Sequence, residues 1–467
     1  MSQTDTRATV GEVPPSVLRR AIGASAIGNA VEWFDYGVYA YLTTHIAASL
    51  FPEGENGVLY TLLGFAVSFL IRPIGGLFWG PLGDKIGRKR VLAMTIILMA
   101  TSTLAVGLIP SYAAIGIWAP ILLYTCRVVQ GFSAGGEYGG AATFMAEYAP
   151  DKRRGFFGSF LEVGTLVGFT VGNVIALLLV NTLDDASMQS WGWRLPFLLA
   201  APLGLIGMYL RSRMEDTPVF RELEEEQKTE DTAAHVFKDL ITKFARPILT
   251  LFGLVIALNV VNYTLLSYMP TYLQTTLGMD ESDALLVPLF GQIAMLFTLP
   301  LFGMLSDRIG RRPMWMFSCI ALVIAVIPMY LLIGTNLAGA IIGFAVLGML
   351  YAPQLATISA TFPAMFPTIV RFAGVAIGYN VATSLFGGTA SAINEGIIDA
   401  TGNSLVPAFY MLGACLIGIA SAYFLIETKG LSLRGTEIPG TPESFEEQRE
   451  LELERLAEEE RRVSGRT

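Results

Sequence analysis

Apolar stretches of roughly 20 residues recur along this chain of 467 residues, and about that many are needed to cross a bilayer as a helix. They lie near 21–46, 57–80, 90–110, 115–139, 155–181, 192–211, 247–275, 284–304, 313–334, 338–362, 372–397 and 405–426. Inside lipid every backbone polar group must be satisfied internally, so such a chain folds as a bundle of membrane helices. Hydrophobic residues make up 53% and charged residues 15%, against roughly 25% charged in soluble domains. Disorder, a fibrous protein and an ordinary soluble enzyme are excluded. Cys126, Cys319 and Cys415 each sit inside an apolar run, which leaves no disulfide framework and no clustered thiol metal site. The net charge of −8 belongs mostly to three polar segments, 1–20, 211–246 and 427–467, which hold 39 of the 70 charged side chains.

Basic residues in short loops set orientation, because such loops stay on the cytoplasmic side. One set of loops holds Arg19, Arg20, Lys85, Arg88, Lys89, Arg90, Lys152, Arg153, Arg154, Arg308, Arg311, Arg312 and Arg371. The opposite set holds Glu53, Glu55, Asp184, Asp185, Asp280, Glu281, Asp283 and Asp399, with Arg194 as its basic member. Both termini are expected in the cytoplasm. Residues 1–20 form a tail, 21–211 a six-helix half, 212–246 a linker, 247–426 a second six-helix half and 427–467 a charged tail. The first span reads as a retained helix and not a cleaved signal. Within the last tail, 443–463 is expected to be helical.

The two halves repeat. Gly80 to Arg90 reads GPLGDKIGRKR, and Gly303 to Pro313 reads GMLSDRIGRRP, with six of eleven positions identical. Pro150 and Arg154 likewise correspond to Pro367 and Arg371. Duplicated six-helix units with a site at their interface are a common architecture of secondary transporters. The first loop closely resembles the signature between helices 2 and 3 of the major facilitator superfamily, and the second resembles its second-half copy. GNAVEWFDYGVYAYL (28–42), FLIRPIGGLFWGPLGD (69–84) and RVVQGFSAGGEYGGA (127–141) resemble the metabolite:proton symporter branch. Within it, stretches 107–123, 144–157 and 254–273 are most similar to the proline/glycine-betaine osmoprotectant symporters.

The resemblance implies that the signature loops latch the cytoplasmic face. Asp84 can face a helix N-terminus of the other half, where negative charge is favourable. Arg88, Glu147, Arg154, Asp307 and Arg311 are the further latch candidates. Ala364 stands where the repeat would place a second Glu147, so the second latch is expected to be the weaker.

A charge at mid-bilayer is costly and usually marks function. Span 1 carries Asn29, Glu32, Tyr36 and Tyr39 along one side, with Asp35 beside them. Paired, buried carboxylates raise one another's pKa, which suits proton uptake and release. Span 4 carries Arg127, Gln130 and Glu137 at helical spacing. The resemblance implies that spans 1 and 4 line the central cavity, where Arg127 pairs with Asp35 or Glu32. Asp35, Glu32 and Arg127 are therefore the proton-coupling candidates, against a structural ion pair. Arg72 reads as either a helix-packing element or a gate. Glu162 is a further membrane acid, while Glu395 and His45 are expected to reach water at the outer ends of their spans.

Substrate candidates are Arg127, Glu32, Tyr36, Tyr39, Trp33, Asn259, Asn262 and Asn380. Aromatic walls attract quaternary ammonium groups by up to about 2 kcal/mol when dry, and an arginine suits a carboxylate. This inventory fits a small zwitterion. The expected function is proton-coupled symport of an osmolyte such as proline or glycine betaine. A citrate or 2-oxoglutarate symporter is the alternative, and a transporter-like sensor a remote one. The sequence holds no P-loop, nucleophile elbow or metal-ligand spacing, so neither enzyme activity, a cofactor nor a nucleic-acid partner is expected.

Overall fold

The computed structural model describes residues 15–54, 56–86, 88–135, 137–212, 242–433 and 437–447, with positions 449 and 453. The side chains of Asp84, Arg88 and Glu137 lie outside the described residues. So do nearly all of the linker and most of the expected tail helix, of which 442–447 are helical.

The protein is an all-α membrane protein of twelve spans in two pseudo-symmetric six-helix halves. Span 1 is Pro15–Tyr41, followed by a short helix, Thr43–Leu50. Span 2 is Gly57–Leu70 continued by Arg72–Ile86, and span 3 is Arg88–Leu108. Span 4 is Trp118–Ala134 with Glu137–Tyr148, span 5 Arg154–Thr182 and span 6 Leu195–Ser212. Span 7 runs as Ala245–Asn262, Tyr263–Tyr268 and Met269–Thr275. Spans 8, 9 and 10 are Glu281–Ile309, Arg311–Ile333 and Leu337–Thr361. Span 11 is Thr368–Phe386 with Thr389–Thr401, and span 12 is Val406–Phe424. Among the described residues, seven helices are long and apolar enough to cross a membrane, and spans 3 and 6 contain shorter apolar helices.

Small residues let the spans approach, as is usual where lipid supplies no hydrophobic drive between helices. A Cβ added to Gly164 of span 5 would fall 2.2 Å from the Ala26 carbonyl oxygen of span 1. Spans 5 and 8, each 29 residues long, extend beyond a hydrocarbon core of about 30 Å at 1.5 Å per residue. Their projecting ends carry contacts between the halves.

Four spans are interrupted where the sequence promised continuous helices. Span 2 breaks at Ile71, just before Arg72 and Pro73. Span 4 breaks after Ala134, with Gly135 as its cap. Span 7 widens into a π-helical turn at Tyr263–Tyr268. Span 11 breaks at Gly387 and Gly388. Interrupted helices in transporters tend to line substrate sites.

Candidate functional site

Two buried polar centres lie near mid-span. The first belongs to spans 1, 3 and 4. Asp35 is 3% exposed and Arg127 fully buried. The Arg127 Nη1 lies 3.9 Å from Asp35 Oδ2 and donates to Gln130 Oε1 at 2.7 Å. Gln130 Nε2 donates to Asp35 Oδ2 at 3.2 Å and to Thr103 Oγ1 at 2.8 Å. The guanidinium also lies 3.3 Å from the centroid of the Tyr39 ring. The Tyr39 hydroxyl donates to the Thr61 carbonyl at 2.8 Å. Among the described residues, Asp35 Oδ1 has no hydrogen-bond partner. A cavity of about 40 Å³ reaches Asp35 and Glu32 between spans 1, 3 and 6, past Gly28, Thr103, Ala200 and Gly204. By the usual allowance it has room for about three waters.

The second centre lies between the halves. Trp33 and Tyr36 of span 1 and Phe65 and Phe69 of span 2 meet Tyr263 at the start of the π-helical turn. Tyr263 lies 6.1 Å from Trp33, 6.1 Å from Phe65 and 5.1 Å from Phe69, between ring centroids. Tyr36 contacts Trp33, Phe65 and Phe69 at 5.6, 5.9 and 5.2 Å. Arg72, 2% exposed, lies 4.1 Å from the centroid of Phe69 and 5.0 Å from that of Tyr36. The span 11 break completes the wall: a Cβ at Gly388 would fall 2.2 Å from the Phe69 ring. Trp33 is held from behind, its Nε1 donating to Asn29 at 3.2 Å. Asn29 donates in turn to Thr165, and Thr165 to Glu162. Glu32 links the two centres, since it lines the cavity beside Asp35 and its charge acts on Arg72 and Tyr36.

The sequence-derived candidates thus separate. Trp33 meets Tyr263 of the second half, with Tyr36 packed beside it on first-half rings, whereas Arg127 and Tyr39 make their described contacts within the first. Asn259 donates to Thr383 within the second half, and Asn262 accepts from Tyr351 there. Asn380 reaches across to the Gly135 carbonyl at the span 4 break. Phe65 and Phe69 were invisible as site residues because Phe is ordinary in an apolar helix. The RP pair at 72–73 was the available signal for the break. Glu395 does not reach water: it is 5% exposed and accepts from the Tyr268 hydroxyl. His45 is not simply solvated, because its ring bonds Glu281 at 2.7 Å and Gln189 at 3.1 Å.

The halves meet at both faces. On the basic-loop face, Asp307 accepts from the backbone amides of Gly155 and Phe156 at 2.8 and 2.9 Å. This places a carboxylate at the N-terminus of span 5, where it satisfies orphan donors. Arg311 holds Asp307 at 2.7 Å, and Arg371 pairs with Glu147 at 3.2 Å. Ala364 supplies no acid in the second half, and Arg371 takes its carboxylate from Glu147 of the other half. Arg154 bonds Asp151 and the Leu431 carbonyl. On the acidic-loop face, Asn181 donates to Ser282 at 3.1 Å, beside the His45–Glu281 contact; deeper between the halves, Gln292 donates to Tyr41 at 2.6 Å.

Known proteins match this arrangement over most of its length. The chain is 42% identical over 427 residues to the "Proline/betaine transporter" of Escherichia coli (strain K12), covering 90% of this chain and 85% of that one. It is 41% identical over 444 residues to the "Ectoine/proline transporter ProP" of Corynebacterium glutamicum, covering 91% and 88%. Among solved structures, the proton:xylose symporter XylE bound to 6-bromo-6-deoxy-D-glucose superposes with a TM-score of 0.72 at 18% identity, over 91% of this chain and 99% of that one. That likeness is one of fold. The family model of the Major Facilitator Superfamily matches residues 25–393, and the chain belongs to that superfamily.

Proposed function

We propose that this protein is a proton-coupled symporter that carries a small zwitterionic osmolyte, proline or glycine betaine, into the cell by alternating access. The observation that carries the reading is the 42% identity, over 90% of the chain, to a proline/betaine transporter. The buried Asp35–Arg127 centre supports proton coupling. A carboxylate with one unpartnered oxygen beside a cavity of water size is able to take and release a proton, and Arg127 compensates its charged form. Glu32 shares that cavity and is the second acid of the coupling site. The asymmetry of loop charge supports a membrane orientation with both termini in the cytoplasm. In that orientation the Asp307–span 5 contact and the Arg371–Glu147 pair close the inner face, with Arg154 and Arg311 holding its acids. Asp84 and Arg88 are the corresponding group of the first half.

The test is uptake of radiolabelled betaine or proline by the purified protein in proteoliposomes under an imposed inward proton gradient. Accumulation that collapses with the gradient is the expected result. Accumulation of citrate or 2-oxoglutarate, unaffected by excess betaine and proline, would replace the osmolyte reading with a carboxylate one.

A further inference from the structure

The inventory of cations at mid-span assigns the substrate's carboxylate to Arg127, but the contacts of the two arginines point elsewhere. Arg127 also has Nε and Nη2 without a hydrogen-bond partner among the described residues, but its charge is already met inside the first half by Asp35, with Gln130 and the Tyr39 face around it. Arg72 is buried at the interface between the halves. Its Nε and Nη2 have no hydrogen-bond partner among the described residues, and neither have the hydroxyls of Tyr36 and Tyr263 beside it. Leaving such donors unsatisfied is expensive, and a guanidinium presents its donors as a fork that fits a carboxylate. Four unmade hydrogen-bonding positions from three spans thus converge beside the faces of Trp33, Phe65 and Phe69. Each ring of this group comes from span 1, span 2 or the π-helical turn of span 7, so the site exists only where the two halves meet.

We propose that Arg72, with the Tyr36 and Tyr263 hydroxyls, receives the substrate carboxylate, and that the surrounding rings of Trp33, Phe65, Phe69 and Tyr263 receive its ammonium group. This rests on the osmolyte reading and deepens it. A zwitterion satisfies both parts of the site at once. A dicarboxylate would press its second charge against ring faces, which carry negative partial charge. The rings touch one another in this closed form, so substrate enters by parting them as the halves separate. Glu32, whose charge reaches Arg72, then competes with the substrate carboxylate for one cation. Protonating Glu32 and binding substrate therefore favour each other, as symport requires.

The test measures binding and uptake by the full-length protein with three probes: betaine, acetate and tetramethylammonium. The last two each carry one half of the zwitterion. Arg72→Gln is expected to weaken betaine binding about 100-fold, the loss of a buried charge-assisted pair, while inhibition by tetramethylammonium stays at its wild-type level. Phe69→Leu is expected to weaken betaine and tetramethylammonium together, by about tenfold. Should Arg72→Gln fail to fold, Tyr263→Phe decides, because it deletes a hydroxyl with no protein partner. It is expected to keep wild-type thermal stability and to lose betaine affinity about tenfold. Wild-type betaine affinity in Arg72→Gln, or in Tyr263→Phe where that variant decides, overturns the site while leaving the symporter reading intact. A wild-type protein that neither binds nor accumulates betaine or proline overturns both.

Discussion

Asp35 is the residue whose surroundings most restrict what it can do. One of its oxygens is held by Gln130 and faces Arg127, and the other has no hydrogen-bond partner among the described residues and lies beside a cavity. Asp35→Asn is expected to abolish proton-driven accumulation while sparing counterflow exchange, which needs no net proton release; pH-jump uptake against preloaded exchange separates the two. Arg127→Ala should strand the Asp35 carboxylate and lower stability by about 3–5 kcal/mol, as removal of one partner of a buried pair does. Adding Asp35→Asn should restore most of that loss, read from thermal unfolding in detergent as a double-mutant cycle. That Arg127 would pair with Asp35 or Glu32 was legible from two mid-span charges only together with the family resemblance, which implies that spans 1 and 4 share a cavity; the structure places Asp35 next to it. The setting of Arg72 was not. One arginine in an apolar run looks the same whether it packs against helices or faces a substrate, and the difference lies in partners that come from a distant span.

At the level of elements, twelve spans were readable because a bilayer admits so few alternatives, and their interruptions were not. Hydropathy reports whether a segment is apolar, whereas a break depends on a local loss of backbone hydrogen bonds. Ile71, Gly135 and the Gly387–Gly388 pair are apolar or small and leave no mark on hydropathy. The π-helical turn at Tyr263 is invisible to a periodicity of 3.6 residues for the same reason, although such turns frequently mark functional sites. The pair in span 11 lies against the aromatic cluster, so its smallness is a packing requirement. Gly388→Val would drive side-chain atoms into Phe69, whose ring lies 2.2 Å from the Cβ position. It is expected to reduce uptake at least tenfold, since overpacking costs about 1–3 kcal/mol; Gly388→Ala should be milder. Equal uptake by Gly388→Val and the parent would show that the span 11 break yields freely.

For the whole molecule, the two faces hold the halves together by different chemistry. The basic-loop face uses a carboxylate on helix-terminal amides and an Arg371–Glu147 pair, and the acidic-loop face uses His45, Glu281 and neutral polar contacts. Asp307→Asn should weaken the inner contact and favour the inward-open form, seen as a longer distance between spin labels on the inner ends of spans 5 and 8. Glu281→Gln should lengthen the corresponding outer distance instead. Opposite responses to the two substitutions are the signature of a rocking bundle; lengthening at the same face in both would contradict it. The aromatic cluster between these faces has a consequence for the unloaded carrier. A symporter must return empty without letting ions slip through, and an empty site that stayed wet would offer them a stepping stone. Here the rings of Trp33, Phe65, Phe69 and Tyr263 close on one another between the faces, so the protein carries through the return step an electrical insulator of its own making.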